Sequence, residues 1–152
     1  MVALQVTATW QDPQYQDLTY SENSSTGPVL RDYVGNQLIR VPRTSYRLVP
    51  GVYLLDDRLR LQVSYERQGE RYVDTANSVR LPAYDLIGAS LRYEATPQWS
   101  FYLYGDNLGN SLGLTEGNPR AGELQSGDAG ANTFIARPVL GRSFRAAMMY
   151  RF

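Results

Sequence analysis

The stretch GRSFRAAMMYRF (Gly141–Phe152) decides how the rest of the chain is read. Phe144, Ala146, Met148, Tyr150 and Phe152 fall on one parity, and Ser143, Arg145, Ala147, Met149 and Arg151 on the other. A strand sends successive side chains to opposite faces. One face is therefore apolar and finishes in two aromatics, while the other is mixed and carries two arginines. Chain ends in water usually fray and are usually polar. An apolar face that continues to Phe152 implies a cover that reaches the terminus.

The same period of two recurs upstream. Val2, Leu4, Val6, Ala8 and Trp10 alternate with Ala3, Gln5, Thr7 and Thr9. Leu59, Leu61, Val63 and Tyr65 alternate with Arg60, Gln62, Ser64 and Glu66. Ile87, Ala89, Leu91 and Tyr93 alternate with polar or small residues, and Trp99, Phe101 and Leu103 with Ser100, Tyr102 and Tyr104. Arg43–Val49 gives a weaker strand, and the closing stretch from about Leu140 to Phe152 makes six. No segment has a convincing helical period. Gly, Pro, Asn and Asp punctuate the gaps. These gaps run long (Asp12–Pro42), short (Leu54–Arg58), medium (Gln68–Pro82), short (Ala95–Gln98) and long (Asn107–Val139). In a meander, alternate connections lie at opposite ends of the sheet, so the longer loops share one end and the tight turns the other.

Composition narrows the function classes. Lys+Arg and Asp+Glu are 15 each in 152 residues, so no basic excess advertises nucleic-acid binding. Cys and His are absent, which removes disulfides, thiolate sites and the commonest general base. Tyr is abundant, at 12 residues, and suits both strands and membrane–water boundaries. No apolar run is long enough for a membrane helix. The start, MVALQVTATWQ, alternates and does not read as a signal peptide. The mean hydropathy of −0.39 is low, but a membrane barrel's strands are only half apolar.

The aromatics sort into two levels. Tyr93, Trp99, Tyr150 and Phe152 fall near the short-turn end, and Trp10 and Tyr65 near the long-loop end. Two such bands are expected of the aromatic girdles of a membrane β-barrel, as is the loop asymmetry. The fold expected is all-β: an antiparallel meander of about six transmembrane strands. A last strand of thirteen residues would span roughly 40 Å at about 3.3 Å per residue. Two alternatives use the same alternation. One is a soluble ligand-binding β-barrel with its apolar face inward. The other is a self-contained small membrane barrel with a structural or adhesive role, needing further strands in Gln14–Tyr20 and Val29–Ile39.

The terminal ARPVLGRSFRAAMMYRF (Ala136–Phe152) resembles the last strand of TonB-dependent outer-membrane receptors. GDNLGN (Gly105–Asn110) resembles that family's asparagine-rich box closing the penultimate strand. GLTEGNPR (Gly113–Arg120) resembles a last extracellular loop. GNQLIRVPRTSY (Gly35–Tyr46) and ERYVDTANSVRLPAYDLIGASLRYE (Glu70–Glu94) also fit the family. The resemblance implies a barrel of about 22 strands filled by an N-terminal plug. It further implies import of a scarce ligand, such as a ferric siderophore, across a Gram-negative outer membrane with energy delivered through TonB. Residues 1–152 would then be the C-terminal part of the barrel, without the plug, and Met1 an internal start. An open six-stranded sheet agrees with this, because it leaves two edges unpaired in hydrocarbon, whereas the smallest closed barrels need about eight strands.

Candidate sites follow from that placement. No catalytic residues, metal ligands or cofactor are expected, and Asp56-Asp57 reads as turn chemistry rather than a carboxylate pair. The resemblance makes Gly141, Phe144, Met148, Tyr150 and Phe152 a signal read by the barrel-assembly machinery. The girdle residues expected to meet the bilayer are Trp10, Tyr65, Tyr93 and Trp99. The polar parity would line the lumen, with arginine–carboxylate pairs such as Arg60 or Arg92 with Glu66 or Glu94. The ligand candidates in the upper lumen and loops are Tyr104, Asn107, Glu116, Asn118 and Arg120.

Overall fold

A computed structural model describes residues 1–117 and 136–152. Among these residues there are twelve strands and no helix: β1 (Val2–Trp10), β2 (Thr19–Ser24), β3 (Gly27–Asp32), β4 (Thr44–Leu54), β5 (Leu59–Gln68), β6 (Arg71–Tyr72), β7 (Arg80–Leu81), β8 (Tyr84–Glu94), β9 (Trp99–Asp106), β10 (Leu114–Gly117), β11 (Ala136–Pro138) and β12 (Ser143–Tyr150). Six of them form one antiparallel sheet in the order β1-β4-β5-β8-β9-β12. The sheet is open, with β1 and β12 at its edges. The other six strands pair as local hairpins within the three longer loops.

Register makes the alternation continuous from strand to strand. Val6 pairs with Leu48, Leu48 with Tyr65, and Tyr65 with Ile87. Lower down, Val52 pairs with Leu61, Leu61 with Leu91, and Leu91 with Leu103, which faces Ala146. Every strand thus contributes its apolar parity to the same face. A slip of one residue at any ladder would send that strand's apolar set to the other side. The polar parity meets a concavity of about 560 Å³ lined by Gln5, Thr7, Arg47, Arg60, Gln62 and Glu66 among others.

That arrangement separates the alternatives. A soluble barrel keeps its apolar face inside and builds a core there. Here the only fully buried large side chains among the described residues are Val73 and Leu81, both in or beside the small β6–β7 hairpin. Val6, Val63, Leu103 and Phe144 stay exposed, Phe144 at 72%. An apolar band this large on the outer face fits a hydrocarbon cover. The small-barrel alternative loses its extra strands, because β2 and β3 pair only with each other and add nothing to the sheet.

Three expected boundaries are corrected. The last strand covers Ser143–Tyr150, not Leu140–Phe152. Its partner β9 stops at Asp106, and the backbone of Leu140 and Arg142 is bonded instead by asparagine side chains (below); at the other end the Arg151 amide still donates to Gln98 O at 2.9 Å. The weak strand at Arg43–Val49 is the eleven-residue β4, which runs on through Pro50 and Gly51. Proline has no amide to donate; pairing with β5 lapses there and resumes unshifted at Gly51–Gln62. Gln68–Pro82, expected as a plain loop, contains the β6–β7 hairpin, closed by Asp74, which accepts from the amides of Ser78 and Val79.

The tight turns are built as their sequences suggest. Leu55, Asp56 and Asp57 all have positive φ, at 54°, 53° and 66°, so the aspartates serve the turn. Thr96 Oγ1 accepts from the amides of Gln98 and Trp99 in the second turn. Arg58 joins the two turns by donating to the carbonyls of Glu94 and Ala95.

The apolar face gives a sign-specific prediction. Val63→Arg, halfway along the band, should destabilise the lipid-embedded protein by about 2–4 kcal/mol, whereas Gln62→Arg on the opposite parity should change stability by less than about 1 kcal/mol. Urea titration in bilayers reads both; equal effects would place the wrong face against lipid.

Candidate functional site

The polar wall carries its charges in unequal pairs. Near the loop end, Arg145 Nη2 meets Asp106 Oδ2 at 3.0 Å, and its guanidinium lies 5.4 Å from the centre of the Tyr104 ring. Near the turn end, Arg92 pairs with Glu94, as the alternation suggested. Arg60 does not pair with Glu66 or Glu94; its guanidinium lies 5.0 Å from the Tyr53 ring centre. Glu66 stands opposite Arg47 in the ladder.

Above the wall, the three longer loops are stitched together. The Gln37 amide donates to Asn77 Oδ1 at 2.7 Å, and Asn77 Nδ2 returns a bond to Gln37 O at 2.9 Å. Asn36 Nδ2 reaches Thr75 O, and the Arg40 amide reaches Tyr72 O. The next joint is Arg71, only 4% exposed, whose Nη2 donates to Leu114 O at 2.7 Å and whose guanidinium faces the Tyr84 ring. Gly113 packs flat on Tyr84, where an added Cβ would lie 2.6 Å from the ring. Burial makes these bonds consequential, since a buried donor without an acceptor is unfavourable. The first, second and third long connections therefore form one rim.

The asparagine box has a defined job. Asn107 has φ 47° and is 7% exposed. Its Oδ1 accepts from the Ser111 amide at 2.8 Å, and its Nδ2 donates to Ser111 O and, at 2.9 Å, to Leu140 O. Asn110 Oδ1 accepts from the Arg142 amide at 3.2 Å. Together they set where the chain re-enters the sheet as β12.

The ligand candidates are thus placed separately. Tyr104 faces the upper lumen beneath Arg145. Asn107 is engaged by backbone and positions the last strand. Glu116 lies 3.4 Å from Arg137 and 4.0 Å from Arg40, joining the rim. No hydrogen bond or ion pair links these three. Asn118 and Arg120 lie outside the described residues.

The aromatics of the turn end lie close together, and those of the loop end are spread. At the turn end, Trp99 and Tyr150 rings are 4.7 Å apart, Tyr150 and Phe152 5.1 Å in a T-shape, and Phe101 stacks on Trp99. Tyr93 pairs with Phe101 across the ladder. Phe144, Met148 and Tyr150 share the apolar face, the Phe152 ring lies against Tyr150, and Gly141 precedes the strand. At the loop end, Trp10 is exposed, and Tyr65 lies beside Tyr46 with ring centres 5.9 Å apart. Tyr65 donates to Asp85 Oδ1 at 2.8 Å, and Arg67 Nη1 holds both Asp85 oxygens at 2.9 and 3.0 Å. Sequence reasoning missed this outward ion pair. Continuing the parity of Tyr65 to Arg67, and of Ile87 back to Asp85, would have found it. It ends the apolar band on both strands.

The sequence profile of the family described as "TonB dependent receptor-like, beta-barrel" matches residues 2–108. The chain belongs to that family. This TonB-dependent receptor barrel segment is part of an outer-membrane protein of the Gram-negative type. Among solved structures it is similar to the siderophore receptor PiuA from Acinetobacter baumannii, with a TM-score of 0.73 and 22% identity over 97% of this chain and 19% of that one. It is also similar to the ferric yersiniabactin uptake receptor FyuA from Yersinia pestis, with a TM-score of 0.64 and 21% identity over 99% of this chain and 28% of that one. The ferric-catecholate import receptor Fiu from K12 E. coli gives 0.63 and 17%, over 98% of this chain and 19% of that one. The chain therefore spans between about a fifth and a little over a quarter of the length of these receptors. No curated protein is a significant match by sequence.

Two substitutions test the rim and the box. Asn107→Ala should lower stability by about 2–4 kcal/mol, from three lost bonds at about 1 kcal/mol each plus strain at positive φ; urea midpoints check this. Arg71→Ala should leave the sheet intact but expose the loops to surface protease at least several-fold faster. Unchanged cleavage would mean the loops are not held by Arg71.

Proposed function

We propose that this segment is the C-terminal six-stranded part of the barrel of an active transporter. That transporter imports a scarce ligand such as a ferric siderophore, with energy delivered through TonB by way of a plug contributed by another part of the receptor. The observation that carries the reading is the continuous apolar face between two aromatic bands on a sheet whose two edges remain unpaired. In hydrocarbon those edges require neighbouring strands. The likeness to siderophore receptors supports the ligand class, and the terminal alternation of Phe144, Met148, Tyr150 and Phe152 supports the C-terminal position and a role in recognition by the barrel-assembly machinery.

Within this reading Tyr104, Glu116, Asn118 and Arg120 contribute to the ligand surface, and Asn107 positions their support. An arginine fork suits the anionic oxygens of a ferric chelate. The test is uptake of radio-iron from a panel of ferric siderophores by cells carrying the complete receptor. Uptake that disappears when TonB is deleted is expected; uptake indifferent to TonB would sink the reading. Asn118→Ala with Arg120→Ala should weaken binding about tenfold or more, as expected for losing charge-assisted hydrogen bonds, with assembly unchanged. Phe152→Ser should impair assembly of the barrel, whereas Phe152→Tyr should not. If Phe152→Leu behaves as wild type, plain lipid anchoring accounts for the terminal residue and the assembly-signal role is removed.

A further inference from the structure

The joint between the first and second long connections leaves a cavity of about 350 Å³. From the first connection and its exit come Asn36, Gln37 and Arg43, and from the second Glu70, Tyr72 and Asn77. Each of these side chains carries a polar group. Ligand cavities are usually lined mostly by apolar groups, so a polar lining narrows what fits. The charges are balanced before any ligand arrives. Arg43 Nη2 lies 3.5 Å from Asp12 Oδ1, and Arg80 Nη1 lies 3.1 Å from Glu70 Oε2. An anion would compete with Asp12 for Arg43 and face Glu70. A cation would compete with Arg80 for Glu70 and face Arg43. Neutral hydrogen-bonding atoms remain unused. Gln37 is only 7% exposed; its Nε2 donates to Val41 O, while its Oε1 accepts no hydrogen bond among the described residues. Asn36 Oδ1 and the Tyr72 hydroxyl likewise have no partner among those residues. Glu70 keeps its second oxygen free, because Arg80 takes only Oε2.

We propose that this cavity binds a neutral saccharide, of mono- or disaccharide size, held across the two connections. A hydroxyl group both donates and accepts hydrogen bonds. A sugar can therefore donate to Gln37 Oε1, Asn36 Oδ1 and the free Glu70 oxygen, and accept from Arg43 and the Tyr72 hydroxyl, without displacing either ion pair. A buried carbonyl left unbonded is unfavourable, and the sugar supplies the donor that Gln37 lacks. The Tyr72 ring adds an apolar body for the C–H face of a pyranose. Asn77, tied to the Gln37 backbone in both directions, fixes the spacing of the two sides. A bound sugar is then a further staple between connections that already hold each other. The cavity shares no residue with the ligand candidates Tyr104, Glu116, Asn118 and Arg120, and its occupancy does not depend on TonB.

The experiment uses the complete receptor, purified in an amine-oxide detergent, because sugar-headed detergents would compete. It is titrated calorimetrically with a panel of neutral mono- and disaccharides and with the oligosaccharide released from the cell's own surface glycolipid. A free sugar and a lipid-borne one share this chemistry, and whichever binds identifies the source. Saturable binding is expected. Tyr72→Phe and Glu70→Gln should each weaken it about threefold to tenfold, as expected for one lost hydrogen bond, and the double variant should weaken it further. Bound sugar should also slow protease cleavage of the loops in the wild type and not in the double variant. Both substitutions keep the side-chain shape; if one fails to assemble, the other gives the same readout. Absence of saturable binding across the panel overturns the proposal, as does binding that neither substitution weakens. Displacement of the sugar by citrate or by a ferric chelate also overturns it, because the cavity would then hold an anion.

Discussion

A peptide group in hydrocarbon has no water to bond with, so each N–H and C=O in a membrane strand must find a neighbouring strand. Everything else in this segment is arranged around that constraint. The six long strands satisfy one another through five antiparallel ladders. Because the ladders are in step, the apolar residues have only one face to occupy and the polar residues only the other. Val49-Pro50 is the single place where a ladder lapses inside the sheet, and β4 continues past it because β1 still pairs there, with Leu4 opposite Pro50. The constraint also marks what is unfinished. The outer edges of β1 and β12 are complete only within a larger barrel.

Much of this was legible in the residues because a period of two is hard to disguise. The strands at Val2–Trp10, Leu59–Gln68, Tyr84–Glu94 and Trp99–Asp106 follow directly from alternation, and the turns at Asp56-Asp57 and Thr96-Pro97 from their turn chemistry. What escaped was governed by contacts distant in sequence. The Pro50-Gly51 pair reads as an interruption, and only its neighbours keep it in the sheet. Leu140–Arg142 continue the pattern of a strand, yet two asparagines from the preceding loop claim their backbone. Of the six short strands in the loops, β6, β7, β10 and β11 have two to four residues, too few for a period to be visible, and the six-residue β2 and β3 do not alternate apolar with polar residues.

The site was legible in kind more than in detail. Parity assigned arginines and carboxylates to the lumen, and Arg92 with Glu94 formed as alternation suggested. Parity cannot tell that Arg60 prefers the face of Tyr53, since that depends on which rotamer the crowded ladder leaves open. Asn107 shows the converse. Its position beside the lumen suggested ligand contact, and three hydrogen bonds of its amide go to the backbone of Ser111 and Leu140. Proximity to a site and availability to a ligand are separate properties, and hydrogen-bond accounting distinguishes them.

The outward cluster of Tyr65, Arg67 and Asp85 has a consequence for where the protein can reside. From Asp85 to Tyr93 the chain rises about 26 Å along β8, or about 20 Å across a bilayer at the usual strand tilt. Above that height sits an ion pair, and below it an aromatic shelf. A thick bilayer would bury the ion pair in hydrocarbon or compress around the segment, and either is unfavourable. The order of side chains along one strand therefore acts as a thickness gauge, matching the segment to a thin membrane before any ligand or partner is involved.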